Sequence, residues 1–85
     1  MDFGMVLREL KFGKKAYRKG WNGKGMFIYY VPADEYPAKT EIAKEYFGET
    51  VKYNPYFAIK NVNGTVSTWV PSVNDCLAED WTAMN

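Results

Sequence analysis

The segment Arg18-Lys19-Gly20-Trp21-Asn22-Gly23-Lys24-Gly25 holds the densest group of chemically able residues in the sequence. Five cations, Lys14, Lys15, Arg18, Lys19 and Lys24, fall within eleven residues around Trp21 and its neighbouring glycines. Such glycines let backbone N–H groups approach an anion, and an indole offers a stacking face, so the segment suits a ligand that carries both a phosphate and a base. Its glycine spacing is neither a dinucleotide fingerprint nor a phosphate loop, since no Gly-Lys-Ser/Thr occurs. The same residues also read as a basic turn with Trp21 in the core.

A second group lies between Trp69 and Trp81. Asp75 on a short helix can accept paired hydrogen bonds from ribose hydroxyls or a purine amino group, with Ser72 and Asn74 completing a polar rim. Equally, Ser72, Asn74 and Asp75 can serve as caps of that helix. Trp69 and Trp81 read as core. Glu79 and Asp80 are adjacent, so their side chains diverge on any regular element and do not make a general acid-base pair.

The rest of the composition narrows the chemistry. The 85 residues contain no histidine, which removes the commonest general base and metal ligand and every Ser-His or Cys-His pairing. Cys76 is the single cysteine, so neither an internal disulfide nor a thiolate zinc site can form, and a free thiol suits a reducing cytoplasm. No catalytic residues, metal or cofactor are expected. The start, Met1-Asp2-Phe3-Gly4, lacks a basic and then apolar leader, and no apolar run approaches the roughly 18 residues of a membrane span. A soluble cytoplasmic protein without a membrane partner is expected.

The elements that must position these groups follow from periodicity. Asp2 can cap a helix with apolar positions Phe3, Val6, Leu7 and Leu10, stopped at Gly13. A short strand is expected around Ala16 to Arg18, and another from Met26 to Val31, closed by Pro32. Residues 32–52 form an insertion, with a possible helix from Lys39 to Phe47, expected to pack on the sheet edge. Tyr56 to Val62 and Thr65 to Val70 flank Asn63-Gly64, a hairpin signal in which both turn residues can take positive φ. Ser72 to Ala78 resembles a capping box followed by a short helix, and a last strand covers Asp80 to Ala83. The sum is one α+β domain over residues 1–85: a twisted antiparallel sheet of about four to six strands, an N-terminal helix on one face, and short helical insertions.

Aromatic residues make up 18% of the chain, more than so small a core encloses, so some face a ligand or partner. Residues 1–31 carry seven Lys/Arg and two Asp/Glu, a balance of +5, whereas residues 32–85 carry four and eight, a balance of −4. Complementary surfaces of this kind favour self-association into a homo-oligomer. A single-stranded nucleic-acid module is an alternative, but the net charge of +1 speaks against a polymeric nucleic acid.

The spacing of Arg-Lys-Gly-Trp-Asn-Gly-Lys-Gly-Met-Phe at 18–27, Trp-Val-Pro-Ser at 69–72 and Asp-Cys-Leu-Ala-Glu-Asp-Trp at 75–81 resembles the second Thoeris anti-defence family of phages. The opening Asp-Phe-Gly-Met-Val-Leu fits the same family, so the resemblance covers the chain except the variable insertion at 32–52. It implies a sponge, not an enzyme, which binds the cyclic ADP-ribose isomer of the Thoeris sensor in the infected bacterial cell and holds it uncleaved. It also implies a homotetramer with each glycocyclic ADP-ribose pocket between two protomers, and in some relatives uptake of cyclic oligonucleotide signals at another site. The reading of residues 18–25 and 72–75 converges with it, and the ligand-binding residues expected are Arg18, Trp21, Asn22, Gly23, Ser72, Asn74 and Asp75. Departures from the family pattern are Cys76, where a larger aliphatic residue is expected, and Val73-Asn74 in place of Gln-Thr.

Overall fold

A computed structural model describes residues 1–21 and 23–85. Its element order is α1 (Phe3–Lys11), β1 (Lys15–Arg18), β2 (Phe27–Val31), β3 (Asp34–Pro37), α2 (Glu41–Phe47), β4 (Thr50–Tyr53), β5 (Tyr56–Lys60), β6 (Val66–Trp69), α3 (Val73–Leu77) and β7 (Trp81–Met84). Five strands form an antiparallel sheet in the order β6-β5-β2-β1-β7, and β3 and β4 pair separately. The chain is therefore α+β, with the N-terminal helix on an antiparallel sheet as its residue pattern requires.

Helix α1 begins where Asp2 Oδ1 accepts the Met5 amide at 2.8 Å, and Gly13 leaves the helix at φ +96°. Its buried Val6 and Leu10 meet Ala16, Ile28, Ile59 and Trp81 to form the core. Register explains this set: Ala16 faces Ile28, and Ile28 faces Ile59, so one side chain from each of three neighbouring strands points at the helix. Three tryptophans extend the cluster. Trp81 is 2% exposed and meets Trp21 edge-on at 5.4 Å and Trp69 at 6.1 Å.

Alternation sends the remaining strand residues to the opposite face, where no helix among the described residues covers them. That face carries Tyr17, Phe27, Tyr29, Val31 and Tyr56, a set of apolar and aromatic groups in place of the polar residues usual on an open antiparallel sheet. Lys15 and Lys60 stand among them.

Two expectations change. The insertion does not pack on a sheet edge, because the edges are β6 and β7. It continues instead from the ends of β2 and β5 as a second hairpin, β3 and β4, with α2 packed on β4 and with Ala38 and Val51 buried. The hairpin between β5 and β6 forms at Asn63-Gly64, but its turn is wider than a two-residue one. The Gly64 amide donates to the Asn61 carbonyl at 3.0 Å, and Gly64 alone takes positive φ, +88°. Asn63 stays at negative φ and uses its side chain instead, accepting from the Thr65 amide at 3.1 Å.

Because Leu10 is fully buried between α1 and three strands, Leu10→Ala is expected to cost about 2–5 kcal/mol of stability, read from the shift of a urea unfolding midpoint at constant slope.

Candidate binding site

Arg18 ends β1 on the core side, opposite Trp81 in the register. Its Nε donates to Asp80 Oδ1 at 2.9 Å, and its Nη1 donates to Asp75 Oδ1 at 3.0 Å. Asp75 closes a full capping box on α3: its amide donates to Ser72 Oγ, and its Oδ2 accepts the Ser72 amide, both at 3.0 Å. The Asp75 carbonyl also accepts the Trp81 indole N–H at 2.9 Å. Asp80 Oδ2 in turn accepts the Gly20 amide at 2.9 Å, which fixes where the chain leaves β1 for the glycine loop. One guanidinium thus ties together β1, α3, β7 and the start of that loop.

The titration of these groups follows from their contacts. Burial pushes the Asp75 carboxyl up, but hydrogen bonds from the Ser72 amide, Arg18 and the Ser72 hydroxyl, with further support from Trp21, outweigh it and hold the group below its ordinary range. The bond from Arg18 is the main cause that lowers Asp80, against some desolvation and with the Gly20 amide assisting. Arg18 is raised by the same two carboxylates, Asp80 first. Both acids are therefore held as anions with lone pairs already engaged.

On the other side of Arg18 lies a hollow of about 460 Å³. One wall is the loop, with Lys19, Trp21, Gly23, Lys24 and Gly25; the other is the uncovered sheet face, with Lys15, Tyr17, Phe27 and Met84. Met26 and Arg18 join the two. No carboxylate is among the described residues that line it. Lys15 Nζ sits 4.9 Å from the centre of the Phe27 ring, and Lys60 Nζ approaches the same ring at 5.9 Å while donating to the Gly25 carbonyl at 3.0 Å. Gly25 takes φ +78°, which lets the loop turn into β2. Gly23 has Met26 and Val62 packed where a Cβ would stand.

The residues singled out from the sequence divide between the two sides of Arg18. Arg18, Trp21 and Gly23 line the hollow. Asp75 lies behind Arg18, and Ser72 engages Asp75 rather than the hollow; Asn74 is exposed on α3. Asn22 lies outside the described residues. Trp21 is half-buried, with its ring edge-on to Trp81, and it also lines the hollow. Tyr17 and Phe27 were not singled out, and Lys15 was named only among the five cations. Their signal was the run of aromatic residues at both parities of two strands, which leaves neither face polar.

The Thoeris anti-defense 2-like domain model matches residues 1–84. The chain belongs to this family. It is 43% identical over 82 residues to Thoeris anti-defense 2 of Bacillus phage SP01, an alignment that spans 95% of this chain and 91% of that relative. In this member of the Thoeris anti-defense 2-like family, the motif residues 18–27 and 69–81 are the two segments that Arg18 joins.

Removing Arg18 leaves Asp75 as a largely buried anion, its side chain 12% exposed, without its cation. Arg18→Ala is therefore expected to lower stability by about 1.5–3 kcal/mol, read by chemical denaturation at pH 7. Both lowered carboxyls stabilise the fold fully above the unfolded carboxylate value of about 4 and lose that contribution as pH falls through their folded values below it. The melting temperature should hold between about pH 7 and pH 5 and fall below about pH 4. Asp75→Asn should begin lower at neutral pH and fall less in acid.

Proposed function

We propose that this chain is a sponge that binds a cyclic ADP-ribose isomer, glycocyclic ADP-ribose, and holds it uncleaved, so blocking Thoeris defence in the cytoplasm of the infected host cell. The observation that carries the reading is the hollow between the glycine loop and the open sheet face, where lysines and aromatic rings meet without a carboxylate in the described lining. A ligand with an adenine, two riboses and a pyrophosphate needs cations or free N–H groups beside an aromatic platform. Lys15, Lys19 and Lys24 supply the charge. Arg18 is already neutralised by two aspartates, so it acts mainly by holding the wall in place and offers the ligand the remainder of its guanidinium.

Retention rather than hydrolysis is supported by the state of the nearby acids. Asp75 and Asp80 are pinned by Arg18 and shifted below the ordinary carboxylate range, and an anion so stabilised is a weak proton acceptor at neutral pH. Family membership supports the anti-defence role. The working unit in this reading is a homotetramer in which two protomers share each ligand pocket, and Asn22, Ser72, Asn74 and Asp75 keep the ligand-binding role the sequence reading gave them. Cyclic oligonucleotide signals are a further ligand class for the same fold.

The open face, with Tyr17, Phe27 and Tyr29 beside Lys15, also suits stacked bases of a single strand, so salt separates the two readings. Capture of one cyclic nucleotide should change little between 50 and 200 mM salt, roughly the range over which a polynucleotide engaging many phosphates loses orders of magnitude in affinity. Equilibrium depletion of glycocyclic ADP-ribose by filtration measures this directly. Trp21→Ala should weaken capture by about 1–3 kcal/mol. It should also cost about 2 kcal/mol of stability, less than the 3–5 of a fully buried tryptophan, and leave the protein folded. Lys15→Ala should weaken capture without lowering the melting temperature. Undiminished capture by both variants would overturn the site.

A further inference from the structure

We propose that Lys60, at the end of β5, and Val62, in the turn that follows it, are positioning residues that clamp the glycine loop and so set how long the pocket keeps its ligand. The inference deepens the sponge reading above and rests on it for that last consequence. Neither side chain lines the hollow. The loop runs from Lys19 to Met26 with glycines at 20, 23 and 25, a composition that gives its backbone much freedom to lose. Its near end is fixed by Asp80, whose carbonyl accepts the Lys19 amide at 3.2 Å and whose carboxylate accepts the Gly20 amide. Its far half is met from the side of β5.

Strand register sets Lys60 opposite Phe27, the first residue of β2 after the loop. The ammonium reaches back past the Phe27 ring to the Gly25 carbonyl, which accepts it at 3.0 Å. Two residues farther along, Val62 packs with Met26 in the space a Cβ at Gly23 would need. Val62 is stiff about its first side-chain torsion, and the turn beneath it is braced. The Asn61 amide donates to the Thr65 carbonyl at 2.8 Å, and Asn61 Nδ2 donates to Thr65 Oγ1 at 3.2 Å and Ser67 Oγ at 3.0 Å. Val62 is 61% exposed and lies outside the core cluster, so its packing serves the loop rather than the core. Met26 is shared between the two sides, lining the ligand hollow and also a second hollow with Asn61, Val62, Asn63 and Thr65. The Asn-Gly hairpin thus has a use beyond joining two strands, since its turn carries one of the groups that hold the pocket wall.

The test compares the wild-type chain with Lys60→Met, Lys60→Arg and Val62→Ala. Lys60→Met keeps an apolar stem over Phe27 and removes the donor, whereas Lys60→Arg keeps a donor. The first readout needs no ligand: the initial rate of native-state trypsin cleavage after Lys24, exposed on the loop, against cleavage after Lys44 on α2. Lys60→Met and Val62→Ala should each speed the cut at Lys24 roughly tenfold, the scale of one lost hydrogen bond or contact, with Lys44 unaffected. Lys60→Arg should stay near the wild-type rate. Release of glycocyclic ADP-ribose after dilution should accelerate in the same two variants. A wild-type rate at Lys24 in either variant, or equal acceleration at Lys24 and Lys44, overturns the clamp. Weaker capture with unchanged cleavage would make Lys60 a direct ligand contact and also overturns it, and faster cleavage with unchanged release removes its effect on retention. A wild-type chain that takes up no nucleotide removes the sponge reading, while the cleavage rates still decide whether the two side chains hold the loop.

Discussion

Arg18 receives its importance from where it stands in the sheet. It ends β1 beside Trp81 and reaches both Asp75 on α3 and Asp80 at the start of β7, with its own side chain 21% exposed. An exposed ion pair of this type contributes little, but here one carboxylate is nearly enclosed and both are bonded again, to the Ser72 and Gly20 amides. That guanidinium links the Asp75 residue that caps α3 and seats the Trp81 indole with the Asp80 carboxylate that holds the entry to the glycine loop. It fixes the loop wall at the end nearest β1, while the Lys60 bond to the Gly25 carbonyl holds the same wall to the sheet farther along.

This division of labour gives the site its electrostatic character. The two aspartates consume the charge of Arg18 on the core side, and the lysines on the far side remain for an anion. The acids that could have done proton chemistry are the same ones locked into the brace. In the proposed reading, such a site takes up its ligand through fixed charge and stacking rather than proton transfer.

Much of the body was legible because its signals are local. Asp2 before an apolar period of three to four, Ser72 three residues before Asp75, and Asn-Gly between alternating runs each specify an element within a few residues. The β3 and β4 pair was not, since Asp34, Glu35 and Pro37 are poor strand formers, and the pairing of Tyr36 with Val51 bridges a whole helix. The brace itself was invisible for a related reason. Arg18 and Asp75 were both singled out as ligand contacts, but only the tertiary placement of α3, packed on α1 with Asp75 in reach of Arg18, shows that they satisfy each other. Lys15, Tyr17 and Phe27 come together through strand register, which no single segment encodes.

The central claim, that the pocket holds a cyclic nucleotide intact, is tested most directly by mass balance. The protein is saturated with glycocyclic ADP-ribose, separated from free ligand, heat-denatured, and the released nucleotide is quantified by chromatography against the amount taken up. Full recovery of the unchanged cyclic molecule is the predicted result. Recovery of a linear or hydrolysed product, or failure of the folded protein to take up the nucleotide at all, would contradict it.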